Sequence, residues 1–248
     1  MNTLEDAEFY ARGDIMKITD VKLTVVKQSL EKPFWNSIKT TWSKTRARLA
    51  IHTDEGLVGM TLCSGGVRKN LSTLKEKLVG EDPMRIAYLW DKLFMGGTRK
   101  PVAKGEFINV ISAADNALWD LTGKALDQPV WKLLGGVQDK LWAYAAGGYY
   151  EEGKGLPELC EEMEAYVNQG FQAVKMKVGW PGVTLKEDAE RVRAVREAIG
   201  EDIALMIDAN NAWDAHTAIR FGRMIEAYDP YLYEEPVRPD DLEGSAKV

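Results

Sequence analysis

Three short apolar runs in this 248-residue chain end in charged or amide groups whose types and spacing could do chemistry. In FQAVKMKVG, Lys175 and Lys177 are two residues apart, so on a strand both point to one face, opposite Val174, Met176 and Val178. Two ammonium groups sharing a buried face repel, and desolvation with repulsion is expected to lower a pKa toward neutrality, which makes a lysine a base. In IALMIDAN, Asp208 and Asn210 share a face at the end of a run that would otherwise be all core, and in YLYEEP, Glu234 and Glu235 end the next run. Carboxylates so placed are costly without a partner. A hard divalent cation held by oxygens is the simplest compensator, and Mg2+ is the natural candidate. Taken singly, a KxK pair is more often the solvated side of an edge strand, and each acid an N-cap or surface group; three successive strand ends loaded alike point to one site.

The elements that must position these residues follow from the spacing of the runs. LWAYAAGG, FQAVKMKVG, IALMIDAN and YLYEEP begin at residues 141, 171, 203 and 231, in steps of 30, 32 and 28. Such steps accommodate a strand, a helix and two short loops, and repeated βα units imply a parallel sheet with right-handed crossovers. The intervening helices are predicted over Leu156 to Gln169, Lys186 to Ile199 and Ala215 to Tyr228, stopped by Gly170, Gly200 and Asp229-Pro230. Periodicity alone leaves a doubly wound sheet and part of a (β/α)8 barrel open. No GxGxxG follows the first strand (AAGGYYEEGKG), and polar groups recur at successive strand ends, which favours the barrel.

Before residue 139 the pattern is α+β. Ile18 to Gln28, Arg46 to His52 and Leu57 to Cys63 read as strands, the last two joined through Thr53-Asp54-Glu55-Gly56 as a hairpin. SLEKPFWNSIKTTW between them reads as an irregular loop carrying Phe34 and Trp35. Helices follow around Leu71, Leu74 and Leu78, after Pro83, and over about Phe107 to Leu126, the last ending near Gly123. The expected organisation is an α+β domain over 1–138 and the first four βα units of a barrel over 139–248.

A net charge of −6 and a pI near 5.2 leave no footprint for nucleic acid or an anionic membrane, and no 18-residue apolar stretch occurs. With only Cys63 and Cys160 and no CxxC, neither a disulfide framework nor a zinc site is implied; both are expected to be buried thiols. The polar, acidic start has no apolar segment, so a cytoplasmic protein is expected. His52 and His216 read as structural or surface groups, the eight tryptophans as mostly core, and Tyr149 and Tyr150 as lining a pocket or covering a rim.

ALWDLTGKALDQPVWKLLGG (117–136), KMK (175–177), DAN (208–210) and YEEP (233–236), in that order, resemble the enolase superfamily and within it the mandelate racemase and muconate-lactonizing branch. The resemblance implies an α+β capping domain on a (β/α)8 barrel, with Mg2+, a small carboxylate substrate and a homo-oligomer as its partners. It implies that Asp208 and Glu234 ligate the metal, that Lys177 is the α-proton base, and that Lys175 lowers its pKa or touches the substrate carboxylate. Asn210 would touch the substrate, Glu235 would support from behind, and the loop with Phe34 and Trp35 would close over the site. The chemistry implied is proton abstraction through an enediolate, by a Lys or His base with Mg2+ as this superfamily is known to use. Dehydration of a sugar acid to a 2-keto-3-deoxy acid leads, with racemisation, epimerisation or cycloisomerisation as alternatives and a non-catalytic βα scaffold as the reading from another class. The family's third metal ligand and its His-Asp base come from later strands, so the chain, stopping at PDDLEGSAKV, is expected to be truncated and by itself inactive.

Overall fold

The computed structural model describes residues 15–95 and 105–248. Packing divides the chain into two compact units, one running to Gln28 and again over Thr45–Asp139, the other over Ser29–Lys44 and Lys140–Val248. The segment 29–44, placed in the first domain by the sequence reading, therefore packs with the second unit.

In the first unit, parts of β1 (Ile18–Trp35) and β2 (Thr40–Thr53) join β3 (Val58–Cys63), with β2 and β3 antiparallel from Ala47↔Cys63 to His52↔Val58. Helices α1 (Leu71–Leu78), α2 (Ile86–Phe94), α3 (Glu106–Ala125) and the short α4 (Val130–Leu133) follow. Ile18, Val21, Leu49 and Ile51 meet Leu74, Leu89, Ile111, Leu118 and Leu121 in one core, as the period-two and period-3.6 patterns require. Two expectations change. Residues 29–35 and 40–44 are strand and only a short connection is irregular, because the long hairpin pairs across sequence. Gly123 lies inside α3: a Cβ there would sit 2.9 Å from the Gln128 carbonyl, so glycine is needed for close approach and does not stop the helix.

The second unit alternates strands and helices: β4 (Ala145–Ala146), β5 (Tyr150–Glu151), α5 (Leu156–Asn168), β6 (Ala173–Lys177), α6 (Leu185–Ile199), β7 (Ala204–Asp208), α7 (Ala215–Ile225) and β8 (Leu232–Glu234). β4, β6, β7 and β8 form a parallel sheet in chain order, which is one-directional winding without the reversal of a doubly wound sheet. Helix α6 starts on a capping box in which Glu187 Oε2 accepts from Thr184 N at 2.6 Å, and α7 on Asp214, which accepts from Thr217 N at 2.8 Å. Val174, Met176, Leu205 and Ile207 pack toward Leu159, Val192, Val195 and Phe221, so one face of the sheet is sealed by helices.

The run LWAYAAGG yields only a two-residue strand, since Leu141 and Trp142 are exposed. None of the eight tryptophans is fully buried, and Trp42, Trp90, Trp131 and Trp142 are exposed; their indole N–H and large area favour partial burial over core positions. Cys63 and Cys160 are half-buried rather than buried. Among the described residues no helix is long and apolar enough to cross a membrane.

Candidate active site

The face of the parallel sheet away from the helices holds the chemistry. β6 is buried along its whole length, and Lys175 and Lys177 are each only 7% exposed. In-register pairing sets Lys177 beside Asp208 and Asp208 beside Glu234, so three adjacent strand ends present ammonium and carboxylate groups side by side. Lys177 Nζ donates to Asp208 Oδ2, Lys175 Nζ donates to Glu234 Oε2, and Lys175 Nζ also lies 3.9 Å from Asp208 Oδ2.

Burial pulls the Lys175 pKa down, but hydrogen bonds to Glu234 and to Tyr144, whose Oη accepts from Nζ at 3.1 Å, outweigh it and hold the pKa above the ordinary lysine value. Each lysine thus donates to a carboxylate, Lys175 to Glu234 and Lys177 to Asp208, and the row sets opposite charges in contact.

Asn210 secures the next layer. With a left-handed φ of 46°, it donates from its backbone N to Asp208 Oδ1 at 2.8 Å and from Nδ2 to Asp208 Oδ2 at 3.1 Å and Glu235 Oε2 at 3.2 Å. The tip between β1 and β2 reaches the same point: Asn36 Nδ2 donates to Asn210 Oδ1 at 2.8 Å, and Ser37 Oγ bonds the Ala209 carbonyl at 2.7 Å. Phe34 packs edge-on to Tyr149 with centroids 4.7 Å apart, and the Lys177 ammonium lies 5.3 Å from the Tyr149 ring centre. Trp35 packs on Trp180 at 5.2 Å. Tyr149 thus borders the charged face, while Tyr150 is buried with its hydroxyl on Asp188 at 2.6 Å.

The structure brings together Lys175, Lys177, Asp208, Asn210, Glu234 and Glu235, with Phe34 joined to them through Tyr149; Trp35 stands by Trp180. Sequence reading missed Tyr144, Asn36, Ser37, Asp188 and Arg191. Their partners lie far along the chain, and no local pattern marks them. His52 lies in β2, opposite Val58, and His216 in the first turn of α7.

Asp208 and Glu234 supply hard carboxylate oxygens on adjacent strands of one face, the donor type Mg2+ takes, and so fit that ion. Two carboxylates cover only part of an octahedral shell, and among the described residues no group of three His, Cys, Asp or Glu side chains is placed to hold a metal.

Comparison with known proteins agrees with this layout. Residues 18–135 match the mandelate racemase / muconate lactonizing enzyme N-terminal domain, and residues 158–248 match the enolase C-terminal domain-like family. An arabinonate dehydratase of Saccharolobus solfataricus is 40% identical over 204 residues, spanning 80% of this chain and 54% of the relative. A D-galactarolactone cycloisomerase of Agrobacterium fabrum is 33% identical over 238 residues, spanning 94% and 62%. The crystal structure of L-talarate/galactarate dehydratase from Salmonella typhimurium, liganded with Mg and L-lyxarohydroxamate, superposes with a TM-score of 0.84 at 30% identity, covering all of this chain and 63% of that one. The chain therefore spans between about half and two thirds of the length of these relatives. Both family domains, in order, and the strand-end residues they bring to one face make this chain a member of the enolase superfamily, in its mandelate racemase and muconate-lactonizing branch.

Proposed function

We propose that the protein containing this chain removes the proton α to the carboxylate of a small hydroxylated acid, and that its reaction is dehydration of a sugar acid to a 2-keto-3-deoxy acid. The observation that carries this reading is the in-register row Lys177, Asp208, Glu234, with Lys175 behind it, on one largely buried face. The dehydratases among the relatives support the choice of reaction.

Asp208 and Glu234 would hold Mg2+, which when bound neutralises the substrate carboxylate and acidifies its α-hydrogen. Lys177 takes the α-proton on Nζ, and the electron pair of the broken C–H bond moves into the carboxylate as an enediolate; its return expels the β-hydroxyl, which leaves as water with the proton Nζ received, and the resulting enol becomes the 2-keto-3-deoxy acid by shifting its hydroxyl proton to C3. Lys175, held protonated, offsets the developing negative charge. Asn210 keeps Asp208 aligned through two hydrogen bonds and presents its amide beside it. The aromatic group of Phe34 and Tyr149 excludes water from the Lys177 side.

Incubation of the full-length enzyme and Mg2+ with a panel of aldonic and aldaric acids, scored for 2-keto products, tests the reading. A 2-keto product from at least one acid is expected. Turnover of none contradicts it, and deuterium entering the α-carbon with no keto product replaces dehydration by racemisation or epimerisation.

A further inference from the structure

Asp188 is fully buried yet takes no part in the reaction just described. It sits in the first turn of α6, where the helix dipole favours a carboxylate, but burying an ion is costly, and an apolar residue would fill such a site at least as stably. What it gains is a set of directed bonds. Oδ1 accepts from Tyr150 Oη at 2.6 Å, Oδ2 accepts from Gly179 N at 2.7 Å, and Arg191 Nε stands 3.7 Å from Oδ1. Arg191 Nη2 donates to the carbonyls of Gly148 at 2.9 Å and Lys177 at 3.3 Å, and its guanidinium lies 3.9 Å from the centre of the Tyr150 ring.

The bonds converge on one residue. Lys177 donates its backbone N–H to the Gly148 carbonyl at 3.4 Å, its carbonyl accepts from Arg191, and the amide two residues on is held by Asp188. Gly179 has φ +84° and a Cβ there would stand 2.6 Å from the Ala212 Cβ, so the strand turns away at this point and needs an outside anchor for its amide. Tyr150 is the chain neighbour of Tyr149, whose ring centre lies 5.3 Å from the Lys177 ammonium, so anchoring Tyr150 holds the backbone from which the Tyr149 ring projects. Burial, reinforced by Asp188, pushes the Tyr150 phenol well above its usual pKa and keeps its proton available to donate.

We propose that Tyr150, Asp188 and Arg191 form a buried clamp that positions Lys177 through its backbone and through Tyr149, and that they are positioning residues for the proton-transfer step. The proposal rests on the reading of Lys177 as the base. A misplacement near 1 Å costs up to about a hundredfold in rate, so small relaxations at the strand end matter.

The test uses full-length enzyme labelled with 13C at lysine Cε, with the Lys177 signal assigned by its loss in Lys177→Met. Ring-current shielding by Tyr149 should displace that signal upfield. Tyr150→Phe deletes one hydroxyl, and Arg191→Lys keeps the charge but loses the planar fork. Both are expected to halve the displacement or more, and to slow loss of the α-proton in D2O, from whichever acid of the panel the unaltered enzyme turns over, by about tenfold to a hundredfold. A merely structural role would lower the melting temperature and leave signal and exchange rate where they were, which overturns the clamp alone. Exchange surviving in Lys177→Met overturns the base reading and the clamp's purpose with it, whatever the spectra show.

Discussion

Removing the Asp208 charge tests how the buried row is held. The Lys177 and Asp208 side chains are 9% and 4% exposed, so Asp208→Asn keeps the shape but leaves an ammonium without its counter-ion in a dry site, with Lys175 3.9 Å from the same oxygen. Breaking a buried pair from one side costs about 3–5 kcal/mol. We expect about 3 kcal/mol, because Asn210 N can still donate to the Oδ1 position. At about 1.4 kcal/mol per decade, this is about two decades faster exchange for the slowest amides of β6 and β7 in native-state hydrogen exchange. Lys177→Met should cost less, about 2 kcal/mol, because Asp208 retains both Asn210 bonds and Lys175 nearby. The double variant should lose little beyond Asp208→Asn, giving a coupling near 2 kcal/mol. Strictly additive losses, or a neutral Asp208→Asn, would refute the claim that this pair governs the face.

Three further outcomes follow from the structure. Phe221 is fully buried with Trp213 at 4.7 Å and Tyr233 at 6.2 Å, so Phe221→Ala should destabilise the second unit by about 3–5 kcal/mol in denaturant unfolding. Glu187 has its pKa lowered below 4.5, first by the Thr184 backbone N–H and then by the Thr184 hydroxyl. A depressed acid contributes stability above its unfolded pKa and loses it as pH falls through the folded value, so acid unfolding below about pH 4.5 should be shallower in Glu187→Gln. Mg2+ should raise the melting temperature of the protein, and a chelator should reverse the rise; Asp208→Asn and Glu234→Gln should each abolish the response.

Much of the site was legible because it depends on strand alternation. KMK, IDAN and YEEP each place polar groups two residues apart or at a run's end, and apolar neighbours such as Met176 and Ile207 identify the opposite, helix-covered face. Helix ends were legible where a glycine marks them, as at Gly200, while the Thr184 cap at the other end of that helix was not singled out. What failed depended on distant partners. Residues 29–44 looked irregular because Pro33 and the mixed polarity hide a hairpin whose far end pairs with Tyr150 and Glu151. The carboxylate partners of the lysines were not legible, because Glu234 lies 59 residues from Lys175 and only the fold shows that it, with Tyr144, outweighs burial there. Asp188 carries no local signal in the sequence, and only the fold shows that Tyr150 and Gly179 meet it.

The central claim is that Lys177 removes an α-proton. Proton NMR of arabinonate and galactarate in D2O with the full-length enzyme and Mg2+ measures it directly. The account predicts loss of the α-hydrogen signal of at least one acid with the unaltered enzyme and none with Lys177→Met. Equal loss with both enzymes would contradict it.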